Sequence, residues 1–430
     1  MSSSYLLEII RKKTIHLKIF IFFNYFISVF YMVFILIWLN QNKVSVAEIF
    51  VYNLAIIIII AIFSNTFSHI SDKMNNRLIF IQISNFTYAI GVLFIAFEVN
   101  FITIMIFVFL TNSLSRETFI TALIYEVIEK REILIKVETT NFEKKKVKEY
   151  AKIRIMGSFG WATGAPIAGY LMEMYGFPFA FLLCALGYII LAFYFYILTK
   201  DFKQILNIER KETNSSIKSL DANNRILHRK YEFLGLLIIA GIFQIGLVLA
   251  VSIKPIYATE LGGSLVFIGI LACLWASFEV PLFFLSSKIT EKYNYIYPLM
   301  LGVIFILIKN LFYIYIITPD TIFLFLLLEI FNQFGIMWPA LTYAINQIFA
   351  KQKKALGTSI YIFIVVSTGF VGNLLGMVLA LSYNIGGSYK DYQILFIFSM
   401  IFTVISLICY IILIIIRRNY NKICQQLKPP

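Results

Sequence analysis

Residues 68–75 read SHISDKMN, and residues 287–294 read SKITEKYN. Both are short polar phrases wedged between long apolar runs, 219 positions apart. Ser, Ile, a hydroxyl residue, an acid, Lys and Asn recur in the same places. A chain that writes one loop twice at this distance is built from two copies of one unit.

The sequence around the phrases is 60% apolar and 14% charged over 430 residues, with a mean hydropathy of +0.84. Soluble domains are nearer about half apolar and about a quarter charged, so the composition is that of a membrane protein. Apolar runs long enough for a bilayer core, about 20 residues, occur twelve times. They lie at 17–39, 47–67, 78–98, 101–124, 150–173, 178–199, 232–254, 265–286, 297–317, 321–345, 356–382 and 394–416. Backbone polar groups in lipid must be satisfied within their own segment, which predicts helices. A membrane β-barrel would show alternation in pieces of about ten residues, and the sequence has none. The first run lacks a small-residue cleavage site and is read as a retained helix, not a signal peptide. Cys184, Cys273, Cys409 and Cys424 have no metal-ligand spacing and read as inert thiols.

A formal net charge of +14 raises nucleic acid as a partner, and the placement of the charge argues against it. With both termini in the cytoplasm, every Lys and Arg falls in a cytoplasmic loop, tail or helix end except Lys43, Lys390, Arg116, Lys254 and Lys309. Clusters such as Lys144-Lys145-Lys146 are then topogenic, following the positive-inside rule.

The polar stretch 200–231 divides the chain into an N-terminal six-helix bundle (1–199) and a C-terminal one with its tail (232–430), with a cytoplasmic linker between. A shorter charged insert, 126–149, joins the fourth and fifth helices. A second internal match supports the duplication. GSFGWATG in the fifth helix carries Gly157, Gly160 and Gly164, and GFVGNLLG in the eleventh carries Gly369, Gly372 and Gly376 at the same spacing, 212 positions on. Small residues so spaced let membrane helices approach closely.

Twelve helices in two halves, with an acidic-basic phrase after the second helix of each half, resemble the major facilitator superfamily. The family's loop runs Gly-x-x-x-Asp-Arg/Lys-x-Gly-Arg/Lys-Arg/Lys; here the positions hold Ser68, Asp72, Lys73, Asn75, Asn76 and Arg77, both glycines being replaced. The second copy keeps Ser287, Glu291 and Lys292. The resemblance implies that Asp72, Lys73, Arg77, Glu291 and Lys292 gate the cytoplasmic side, in an all-α membrane protein of two pseudo-symmetric six-helix bundles.

Two branches of the superfamily share features with the chain. The aromatic first helix, which contains Asn24, and AKIRIMGSFGWATG in the fifth are similar to lactose-permease-type sugar/proton symporters. That resemblance implies Arg154 as a hydrogen-bond donor to sugar hydroxyls and Trp161 as a stacking platform. A sugar's apolar C–H face makes such stacking sensible. The stretch 254–289, with the core Ala276-Ser277-Phe278-Glu279-Val280-Pro281, is similar to bacterial sugar efflux transporters, as is FNQFG with its Asn332. Gly160, Gly164, Pro166 and Gly169 approximate a helix motif that goes with export in the superfamily.

A charge mid-membrane costs roughly 2.5–3.5 kcal/mol on insertion scales and is a functional candidate by default. Arg116 and Glu117 are expected in the middle of the fourth helix, Glu279 in the eighth with Trp275 one turn before it, Lys309 in the ninth and Glu329 in the tenth. Either these charges pair off structurally, Lys309 with Glu279 or Glu329, or they serve transport. The lactose-type helix-10 His and Glu positions hold Asn332 and Gly335, and His16, His69 and His228 all map to the cytoplasmic side. Asn332 hydrogen-bonds but does not titrate, which argues against lactose-type proton symport. No phosphate-binding loop is present.

The sequence therefore reads as a monomeric, multi-pass carrier of the cytoplasmic membrane, with neither a metal nor an organic cofactor and a proton gradient as its driving force. The expected cargo is a small sugar-like solute, exported against protons entering through an acid such as Glu279. Multidrug efflux and lactose-type sugar uptake are the alternatives.

Overall fold

The computed structural model describes residues 3–74, 77–98, 100–114, 116–135, 139–206, 223–348 and 354–426. Among them every regular element is helical. In chain order the α-helices are α1 (Ser3–Met32), α2 (Ile35–Gln41), α3 (Val46–Ile59), α4 (Asn65–Lys73), α5 (Arg77–Ile95) and α6 (Phe101–Asn112). They continue with α7 (Arg116–Ile135), α8 (Thr139–Tyr175), α9 (Phe177–Leu206), α10 (Asn223–Val251), α11 (Lys254–Glu260) and α12 (Leu265–Lys292). The last five are α13 (Ile296–Tyr315), α14 (Leu324–Leu328), α15 (Gln333–Ile348), α16 (Lys354–Ser382) and α17 (Gln393–Gln426).

Among the described residues, ten stretches are long and apolar enough to cross a membrane, and they coincide with ten of the twelve expected spans. The other two are helical but weaker in hydropathy. Span 101–124 is split between α6 and α7, and span 150–173 lies inside the 37-residue α8, where Lys152, Arg154 and a run of Gly, Ser and Thr dilute the apolar character. The charged insert 126–149 is largely a continuation of helix, ending α7 and beginning α8. Of the expected linker, 200–206 ends α9, 223–231 begins α10, and the rest lies outside the described residues.

Among the described residues four of the twelve spans are interrupted by non-helical positions: the first, fourth, seventh and tenth. The breaks include Val33–Phe34, Ser113–Leu114, Ser252–Ile253 and Glu329–Asn332. The first and third are 219 positions apart, the same offset as the loop phrases. A break at every third span is the pattern expected of three-helix repeats nested within each half. Their local causes differ. Pro255, in the first turn of α11, has no N–H to continue the ladder of α10. In α6 the Thr111 hydroxyl and the Asn112 amide both donate back to the Val108 carbonyl, at 3.0 and 3.1 Å, drawing it out of the helix. Asn332 restarts the tenth span by accepting the Gly335 N–H at 3.0 Å, an N-cap for α15. Nothing in the side chains of Val33 and Phe34 accounts for the first break.

Contacts gather the chain into two compact units: Met1–Val44 with Ala55–Ser215 and Ser264–Ser277, and Ser45–Leu54 with Ser216–Gly263 and Phe278–Pro430. In the first unit α8 lies along α1 at backbone contact. A Cβ on Gly160 would overlap the Phe22 carbonyl, and one on Gly164 would come within 2.6 Å of the Phe26 carbonyl. Further along α8, beyond the internal Pro166, Gly169 abuts the Leu265 carbonyl at the start of α12, and Gly269 abuts the Ala165 carbonyl. In the second unit Gly372 of α16 faces the Ile245 carbonyl, where a Cβ would approach to 3.0 Å, and Gly376 packs on the Phe50 ring. Gly369 is buried and its carbonyl accepts from Asn373 at 2.9 Å. The core of this unit joins α10, α13, α15 and α17 through residues such as Leu237, Val303, Ala340 and Tyr410. At one edge of that core Glu232 accepts from Tyr295 at 2.5 Å and from Arg417 at 2.8 Å, tying α10 to α13 and α17.

Because the obstacle at Gly160 is backbone, nothing cheap can move aside. Gly160→Ala is expected to destabilise the protein by about 1–3 kcal/mol, the usual range for overpacking, seen as a lower melting midpoint in detergent. Gly235→Ala, where the nearest atom is the Leu413 side chain at 3.3 Å, is expected to leave the midpoint unchanged.

Candidate functional site

In the first unit the close approach of α8 to α1 assembles a polar group. The Tyr25 hydroxyl of α1 donates to Glu117 Oε2 of α7. The Arg154 guanidinium of α8 lies 4.4 Å from the centre of the Tyr25 ring, a cation–π contact. Gly157, one turn on from Arg154, leaves the room both need: a Cβ there would come within 2.7 Å of the Tyr25 ring and of Arg154 Nη1. One turn further stands Trp161, half-buried, its indole N–H buried without a hydrogen-bond partner among the described residues. Asn24, beside Tyr25, is fully buried and neither polar atom of its side-chain amide has a partner among the described residues, while its backbone carbonyl accepts the Tyr188 hydroxyl at 2.9 Å. The group combines one carboxylate, one guanidinium, an indole donor and an amide with two aromatic faces.

Arg116 and Glu117 do not stand mid-helix as expected. The break that includes Ser113 and Leu114 puts them in the first turn of α7, and their surroundings differ: Glu117 is exposed and Arg116 is buried. A carboxylate is favoured by the positive end of a helix dipole and a guanidinium is not. Arg116 instead lies between two rings, its guanidinium 4.3 Å from the centres of both Tyr88 and Tyr188, with Nε and Nη1 lacking hydrogen-bond partners among the described residues. Cys184 packs below this cage and donates to the Ile27 carbonyl at 3.3 Å.

In the second unit the charges form a separate cluster. Glu329, wholly buried at the end of α14, accepts from Lys254 at the start of α11 and from Lys309 of α13, the latter at 3.4 Å. Lys309 is buried, whereas the Lys254 side chain is 21% exposed. Two broken spans are thereby clamped to the unbroken ninth at the level of their breaks. Glu279 is buried in α12 and its backbone packs against Gly335 of α15. Trp275, one turn earlier on α12, is half-buried.

Of the residues expected to gate the cytoplasmic side, Lys73 closes α4 and is exposed, and Glu291 and Lys292 are exposed at the end of α12, with Lys292 5.1 Å from the Tyr293 ring centre. Asp72 lies in the last turn of α4 and Arg77 opens α5; their side chains, and both Asn75 and Asn76, lie outside the described residues.

Sequence reasoning missed Tyr25 as the link between Glu117 and Arg154, and Lys254 as a partner of Glu329. Pro255 beside Lys254 was a legible sign of a break; no local signal joins residues 25, 117 and 154.

The model of the MFS_1 like family matches residues 14–393, most of the chain. No curated protein matches it. Among solved structures it is similar to the nucleoside transporter NupG, with a TM-score of 0.67 at 14% identity over 93% of this chain and 98% of that one. It is similar also to a bacterial homologue of the human lysosomal transporter Spinster in an inward-facing, unoccupied conformation, with TM-score 0.66, 15% identity and 96% of each chain covered. A POT family transporter in complex with a thioalcohol-conjugated peptide matches with TM-score 0.66 at 13% identity, over 94% of this chain and 96% of that one. These likenesses establish the fold.

Removing Glu329 would leave two lysines uncompensated. Glu329→Leu is therefore expected to destabilise the protein by about 3–5 kcal/mol, the typical consequence of breaking a buried ion pair from one side. Adding Lys309→Met should recover part of that loss, since it withdraws one of the stranded charges. Thermal melts of the single and double variants in detergent test the pairing; a double variant less stable than Glu329→Leu would contradict it.

Proposed function

The chain belongs to the MFS_1 like family, and from that premise we propose that it is a secondary active transporter of a small sugar-like solute, working by alternating access and exporting its cargo against entering protons. The reading places it as a multi-pass protein of a cytoplasmic membrane with both termini inside, in accord with its distribution of Lys and Arg.

The observation that carries the cargo assignment is the Glu117–Tyr25–Arg154 group with Trp161 two turns from Arg154. A sugar offers hydroxyls that both donate and accept, around an apolar C–H face. A carboxylate accepts such hydroxyls, a guanidinium and an indole N–H donate to them, and aromatic faces cover the apolar side. A lipophilic cation would need the rings but would have no use for the donors. The peptide-bound and nucleoside transporters it resembles in fold are likewise named for polar cargoes. Asn24 supplies a further buried amide next to this group, whereas the oxygen of Asn332, expected to meet the sugar, is engaged in capping α15.

For coupling, Glu279 is favoured over Glu329. Glu329 is already committed to two lysines, whereas Glu279 is a second buried carboxylate, on α12 and apart from that ion cluster. Protonation of Glu279 from outside would compete with cargo and reset the carrier.

In proteoliposomes, Arg154→Lys and Glu117→Gln are each expected to lower sugar counterflow at least about tenfold, since a lost charged hydrogen bond is worth about 1.5–3 kcal/mol. Full counterflow in both variants would sink the cargo assignment. Glu279→Gln is expected to retain counterflow and lose pH-driven efflux; undiminished pH-driven efflux would remove Glu279 from the coupling step.

A further inference from the structure

The Lys254–Glu329–Lys309 cluster has more positive charge than its own residues balance. Two ammonium groups face one carboxylate, and the charges acting on Lys309 are those of Glu329 and Lys254, while those acting on Glu329 are the two lysines. Glu329 is wholly buried and the Lys309 side chain is 6% exposed. An ammonium group has three donors, yet among the described residues Lys309 makes one hydrogen bond, the 3.4 Å contact with Glu329. One turn along α13 the Tyr313 hydroxyl is also buried and has no hydrogen-bond partner among the described residues. Buried ammonium and hydroxyl donors outside lipid-facing positions are normally satisfied, and a lone excess charge in a low-dielectric interior is among the most unfavourable arrangements a fold can hold.

We infer that Lys254, Lys309 and Tyr313, positioned by Glu329, form a binding site for a small monovalent anion. Each of the three residues offers N–H or O–H donors, the surplus charge is a single positive one, and the carboxylate of Glu329 already engages both lysines, so a monoanion completes the balance where a cation or a dianion would not. Lys254 supplies the entry: its side chain is 21% exposed while its partners are closed off. The cluster sits at the breaks of the seventh and tenth spans, so an anion there would stabilise both interruptions along with the ion pairs. This inference is independent of the cargo assigned above, since none of its residues belongs to the Glu117–Tyr25–Arg154 group.

The test is thermal unfolding of the purified full-length protein in detergent at constant ionic strength, with sodium gluconate replaced stepwise by sodium chloride or by sodium acetate. A saturable rise in the melting midpoint with chloride, acetate or both is expected, and the arm that responds tells a halide site from a carboxylate site. Lys254→Gln, which leaves one lysine against one carboxylate, is expected to abolish the rise, and Lys254→Arg to keep it. No saturable rise in either salt, or the same rise in Lys254→Gln, would overturn the site. Sugar counterflow with the same preparations is read separately, so loss of the anion effect and loss of the cargo assignment remain distinguishable.

Discussion

The backbone contact between α1 and α8 is the constraint on which the first unit depends. Gly160 and Gly164 let α8 lie against the carbonyls of Phe22 and Phe26, closer than any side chain would allow. In lipid there is no hydrophobic drive between helices, so such close van der Waals packing is what holds them together. The register this contact imposes is also what makes the site. It sets Arg154 over the Tyr25 ring, opens space at Gly157, and lets the Tyr25 hydroxyl reach Glu117 on a third helix. Packing and chemistry are thus one arrangement: the glycine spacing that joins two helices also lines up the donors of α8 with the tyrosine of α1.

The buried charges follow a different logic. A membrane span tolerates interruption where freed backbone groups find partners inside the protein, and three of the four breaks have identifiable partners or causes in Pro255, Thr111 with Asn112, and Asn332. Charges gather at the same places. Lys254 and Glu329 stand at the breaks of the seventh and tenth spans, and Arg116 restarts the fourth. Their solutions to burial differ. Glu329 is met by two ammonium groups, whereas Arg116 is met by the faces of Tyr88 and Tyr188. The first is an ion cluster with charge to spare, the second a cation in an aromatic cage.

How much of this was legible in the sequence depends on the range of the interaction. Hydropathy over about 20 residues is a local signal, and it placed ten spans where the structure has them. The doubled phrase at 68–75 and 287–294 announced the repeat, and its offset of 219 recurs in the helix breaks at Val33–Phe34 and Ser252–Ile253. The breaks themselves were hidden, because apolar residues such as Val33 and Phe34 carry no turn signal. Span 101–124 was apolar enough to look continuous, which put Arg116 and Glu117 mid-helix in expectation, whereas the break places one buried and the other exposed. The Tyr25–Glu117 contact joins residues 92 positions apart and Lys254–Glu329 joins residues 75 apart. A single sequence carries no pairwise information at such separations, so candidate residues could be named singly but not assembled.

The central claim is that the Glu117–Tyr25–Arg154 group and Trp161 recognise a polyhydroxylated solute. Counterflow by the purified wild-type protein in proteoliposomes tests it most directly, with labelled mono- and disaccharides set beside lipophilic cations. The account predicts saturable exchange of at least one sugar and none of the cations. Exchange of the cations with no sugar exchanged would contradict it.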